Sequence, residues 1–139
     1  RTAPPDAGRE ASSALTSLLP EQYRDRPFHA HNRLIKCSAL NAEERRETAR
    51  EIAKRLKASE TPSHVILTNG GIEEWDREGQ EANDPEAFGE FCDEMRKQMT
   101  APIHFTELDC HINDQAFVDA VLQIFDGWIE DGTIKTGAR

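Results

Sequence analysis

Three groups of side chains in this sequence have types and spacings that can do chemistry. The densest is Asp109-Cys110-His111-Ile112-Asn113-Asp114. Imidazole titrates near neutral pH, so His111 held by Asp109 or Asp114 is a candidate general base. The competing account is structural: Asn113 or Asp114 caps a following helix while His111 bonds to the backbone. The second group is a glycine loop. Gly70-Gly71 permits close backbone approach to an anion, Asp76 can orient a hydroxyl or a cation, and Gly79-Gln80 is a second flexible turn. A glycine pair also serves ordinary turns. The third group is His29-x-His31 followed by Asn32. Alternate strand positions share a face, but no third ligand has suitable local spacing, so no metal site is expected. Cys37, Cys92 and Cys110 are an odd number without paired spacing, which argues for reduced thiols rather than a disulfide framework or a C-x-x-C motif. Neither a Walker motif nor G-x-G-x-x-G nor G-x-S-x-G is present.

The elements that must position these groups are legible in outline. Residues 1–18, with Pro4-Pro5 and Gly8, carry no helix or strand period and read as a disordered lead or a cut edge. Arg33 to Cys37 is consistent with a first strand. Asn41 then caps a helix, with Glu44 three residues later as in a capping box, and its apolar stripe is Ala49, Ile52, Ala53 and Leu56. His64 to Thr68, a β-branched run between Pro62 and Asn69-Gly70-Gly71, reads as a buried strand. A long polar loop leads to Asp84-Pro85, where Asp caps and Pro takes the first helical position. Phe88, Phe91, Cys92, Met95 and Met99 form one apolar face. Ile103 to Leu108 is a third strand, followed by a helix with Phe117, Val121, Leu122, Phe125, Trp128 and Ile129 on its apolar side. Residues 132–139, with Gly132 and Gly137, read as a flexible tail.

Three strand–helix units in series predict an α/β fold, a Rossmann-like three-layer sandwich with a mainly parallel sheet, because a parallel return needs a crossover. In such sheets ligands settle beyond the carboxyl ends of the strands, where the glycine loop and the His111 loop would both lie. His31, just ahead of the first strand, would lie at the opposite edge. The chain's 139 residues make one domain, with a single core over 19–131. Its 17 Lys and Arg against 26 Asp and Glu give a net charge of −9, which argues against a phosphate-backbone partner, so no direct nucleic acid is expected. No apolar run approaches the roughly 18–20 residues of a membrane span, and the expected location is cytoplasmic.

The order Pro20-Glu21-Gln22-Tyr23-Arg24-x-Arg26-Pro27-x-His29-x-His31-Asn32, then Gly70-Gly71-Ile72 with Asp76, Gly79-Gln80 and Asp84-Pro85-Glu86-Ala87, then Glu107-Leu108-Asp109-x-His111-Ile112-Asn113-Asp114, resembles the C-terminal half of the Tm-one-like ATP-binding family. The resemblance spans roughly residues 19 to 129. It implies two Rossmann-like subdomains in the whole protein, of which the N-terminal one is missing here and the sheet is incomplete at its N-terminus. It also implies ATP binding and self-association into a homo-oligomer. The residues it carries over to a nucleotide or small-molecule site are Gly70, Gly71, Asp76, Gly79, Gln80, His31, Asn32 and Asn113. The loop departs from the family's pattern at Glu73-Glu74-Trp75-Asp76 and Glu78-Gly79-Gln80-Glu81. Trp75, Glu78 and Glu81 add bulk and negative charge, which predicts weak ATP binding or none. A small-molecule enzyme using the His111 acid–base pair, and a ligand-free protein-interaction module, are the rival readings.

Overall fold

A computed structural model describes residues 20–26, 28–30, 35–80, 82–135 and 137. His31 and Asn32 of the predicted site, Glu81 and the predicted 1–18 lead lie outside the described residues. The chain divides into two compact units, residues 1–39 and 40–139.

In the first unit a single 3-10 turn, Glu21–Tyr23, follows Pro20, and the Arg26 guanidinium sits 5.0 Å from the centre of the Tyr23 ring. Strand β1 (Phe28–Ala30) then pairs antiparallel with β2 (Lys36–Ser38), Phe28 opposite Ser38 and Ala30 opposite Lys36. The segment expected to open a parallel sheet is therefore one arm of a small antiparallel ribbon. A parallel return takes a dozen or more residues, and only five positions separate the end of β1 from the start of β2.

The second unit holds the α/β architecture. Helix α1 (Ala42–Lys57) starts at Asn41, whose side chain accepts from the Glu44 N–H at 3.0 Å while the Glu44 carboxylate accepts from the Asn41 N–H at 2.9 Å. This reciprocal capping box satisfies two amides that a helix start otherwise leaves open. Strand β3 (His64–Thr68) and strand β4 (His104–Leu108) pair in parallel, His64 opposite His104 and Thr68 opposite Leu108. The crossover between them is helix α2 (Pro85–Gln98), capped by Asp84, whose carboxylate accepts from the Ala87 N–H at 2.9 Å. Helix α3 (Gln115–Glu130) follows β4.

One cluster forms the core. Ala49 and Ala53 of α1, Phe91, Cys92 and Met95 of α2, Met99, Ile103 and Leu67 are buried, with Ile52, Leu56, Phe88, Val65 and Phe105 packed against them. Val65, Leu67 and Phe105 share one face of the sheet, so α1 and α2 cover the same side. Each large apolar side chain buried there contributes about 1.5–3 kcal/mol. The helices are also tied through charge: Arg46 Nη1 meets Glu90 Oε2 at 2.6 Å and Arg50 Nε meets Glu94 Oε1 at 3.1 Å. Val65 and Ile66, in the strand read as buried, are only partly so, and Phe105 and Leu108 of β4 are likewise half-buried. Helix α3 is the larger departure: its apolar stripe is present, yet no residue of it is buried.

Candidate functional site

Both predicted loops leave the carboxyl ends of β3 and β4, and parallel pairing brings those ends side by side. The loops are then laced together by backbone. The Asn69 N–H donates to the Leu108 carbonyl at 2.9 Å, the Gly70 N–H to Cys110 O at 2.8 Å, and the Ile112 N–H to Gly71 O at 3.1 Å. The buried Thr68 hydroxyl also donates to Gly71 O at 2.8 Å. So close an approach accounts for the glycine pair. A Cβ on Gly70 would lie 2.7 Å from the Cys110 carbonyl carbon and 2.9 Å from His111 N. Gly71 adopts φ +122°, a region that side-chain-bearing residues rarely enter, and a Cβ there would collide with Asp76 Oδ1 and the His111 ring.

His111 is the pin of this assembly. Its ring is 2% exposed. The Asn113 N–H donates to Nδ1 at 3.1 Å, so the ring proton is on Nε2, where it is shared between the Glu73 carbonyl at 2.9 Å and Asp76 Oδ1 at 3.2 Å. The carboxylate facing the imidazole is thus Asp76, from the other loop, rather than Asp109 or Asp114. Asp76 spends its second oxygen on the N–H groups of Ile72 at 2.8 Å and Glu73 at 3.2 Å. A general base needs a free lone pair within reach of solvent and substrate. Both ring nitrogens of His111 are engaged by protein, and the ring is buried where that role calls for exposure.

The other predicted residues are spread around this pin. Asp114 precedes α3 but its side chain makes no cap bond; it accepts from the His111 backbone N–H at 2.8 Å and from Arg77 Nη2 at 3.2 Å. Those two donors, the backbone one first, hold its carboxyl below the usual range. Asn113 is exposed and donates through Nδ2 to Glu74 Oε2 at 2.9 Å, and that bond together with the Arg77 guanidinium lowers the Glu74 carboxyl. Asp109, Gly79 and Gln80 are exposed, and Gly79 takes φ +84° in open space.

The rim so formed is acidic and self-satisfied. The amides of Gly70, Ile72 and Glu73, which a phosphate would need, already donate to Cys110 and Asp76. Arg77 is committed to Glu74 at 3.0 Å and to Asp114. Of the rim side chains, exposed Gln80 and Asp109 remain for a ligand, whereas Glu74 and Asn113 are bonded to each other and Glu73 accepts from the Asp76 N–H.

Two participants carry no local sequence signal. Arg77 bridges the loops, and Arg96 on α2 binds Glu107 through Nε at 2.9 Å, Asn69 at 3.0 Å and Asp93 at 2.6 Å, tying the helix to the ends of both strands. In sequence both look like members of a solvated charged face.

Residues 12–129 match the family described as Uncharacterised protein family (UPF0261) C-terminal domain. The chain belongs to the UPF0261 family. It is 45% identical over 119 residues to a UPF0261 protein of Brucella melitensis biotype 1, covering 86% of this chain and 28% of that protein. Similarity to a UPF0261 protein of Brucella suis biovar 1 is 44% over 119 residues, with the same coverage, and to one of Mesorhizobium japonicum 31% over 112 residues, covering 79% of this chain and 28% of the relative. The chain thus spans little more than a quarter of the length of these relatives. Membership is consistent with the Tm-one-like resemblance. Among the described residues no helix is long and apolar enough to cross a membrane.

Proposed function

We propose that this UPF0261 C-terminal domain supplies one wall of a nucleotide or small-ligand site in the full-length protein, with the rim of the two laced loops as the ligand-facing surface. The observation that carries the reading is the Asp76–His111 pin, which holds two loops at the carboxyl edge of parallel strands in one fixed arrangement. That edge is where open α/β sheets bind their ligands, and a preorganised rim lowers the ordering cost of binding. In this reading His111, Asp76, Gly70 and Gly71 are positioning residues, Gln80 and Asp109 meet the ligand, and Asn113 and Glu74 meet it by giving up their mutual hydrogen bond. Glu73, Glu74 and Glu78 oppose a bare polyphosphate, so ATP is expected to bind weakly and only with a divalent cation to neutralise it. Self-association of the full-length protein rests on the Tm-one-like resemblance alone.

The test uses an intact UPF0261 protein. Native mass spectrometry of material purified without added ligand is paired with hydrogen-exchange footprinting in millimolar magnesium-ATP. Slower exchange confined to the stretches aligned with 69–83 and 109–114 supports the site. Absence of any bound small molecule, with no change in either stretch, sinks it.

A further inference from the structure

Helix α3 is sixteen residues long and contributes no buried residue, although Val118, Val121, Leu122 and Phe125 are each 38–53% exposed. A helix of that length owes most of its stability to packing of its apolar face, so a face this open is an unfilled contact. Its charges say what should fill it. Asp119, Asp126 and Glu130 are its only ionisable side chains, they flank Leu122 around one shallow depression, and no basic residue stands in the last turn. Acidic groups near a helix C-terminus face the negative end of the dipole, an unfavourable placement that cations close by would reverse.

We infer that this face docks on the remainder of a full-length UPF0261 protein, through an apolar surface that places Lys or Arg opposite Asp126 and Glu130. The relatives carry the larger part of their length outside the matched domain, which provides such a partner within the same polypeptide. A second copy of this chain fits less well: two α3 helices face to face would confront acid with acid, with no base on either to compensate.

The experiment compares the 139-residue chain with the intact Brucella melitensis relative, without ligand, so its outcome is independent of the loop-rim site. Sedimentation of the chain should show a monomer. Amides of α3 should exchange about a hundredfold faster in the chain than those of the aligned helix in the intact relative, because only the latter is covered. The double variant Leu122→Gln with Phe125→Gln, which adds no charge, should cost the chain little of its melting temperature, since both side chains are already about half exposed in it. A dimer that this variant splits would give the face to a second copy and overturn the proposal. Equal, fast exchange of the helix in the intact relative would overturn it as well.

Discussion

Gly71→Ala tests the central geometric claim, that the glycine pair serves the approach of the two loops. Two costs are expected. Placing a Cβ residue at φ +122° costs about 1–3 kcal/mol in backbone strain. The new methyl would also collide with Asp76 Oδ1 and lie 2.6 Å from His111 Cδ2. Both neighbours are engaged in buried hydrogen bonds, so relieving the clash disturbs the pin, and overpacking of this kind costs about 1–3 kcal/mol. The sum is about 4 kcal/mol, a large share of the 5–15 kcal/mol typical of a domain. Gly79→Ala is the internal control. It lies in the same loop with φ +84° and nothing within 4 Å of the added Cβ, so only the backbone term applies. Urea unfolding at neutral pH, followed by circular dichroism, should show Gly71→Ala losing about 1–3 kcal/mol more than Gly79→Ala, with unchanged m-values. Equal losses would mean that backbone conformation alone explains Gly71 and that the loops are not packed as described.

Three further outcomes are expected. Gly127→Ala, in the last turn of α3 with open space at its Cβ, should raise stability by about 0.5 kcal/mol in urea unfolding, since glycine is a poor helix former. Burial, and then the neighbouring His104, push the His64 imidazole below its ordinary value near 6.5. The unfolded chain therefore binds the proton first, and stability present above about pH 6.5 should fall as pH drops below it; His64→Asn should flatten that part of a melting-temperature profile. Burial pushes the Cys92 thiol up to about 11 from 9.0, so at pH 8 a disulfide reagent should modify exposed Cys37 promptly and Cys92 only on unfolding. The same shift removes stability as pH rises above about 9, where the unfolded chain loses its proton first.

What the sequence determined by itself was local. The Asn41 to Glu44 capping box and the Asp84-Pro85 start join residues at most four apart, and the structure has both. The run from His64 to Thr68 forms a strand at those same residues, because β-branched side chains between turn residues leave few alternatives. The apolar face of α2 also packs as its spacing requires. Tertiary structure decided which loop groups meet. Asp76 and His111 are 35 positions apart, and Arg96 reaches Asn69 across 27. Nothing in the local pattern separates Asp76 from Asp109 as the partner of an imidazole, because either carboxylate suits and only the register of two parallel strands chooses. The same holds for Gly70 and Gly71, whose need to be glycine comes from atoms of Cys110, His111 and Asp76. For α3 the sequence marked which side is apolar, but not that this side would stand open. Periodicity describes one helix, and burial is a property of what lies against it.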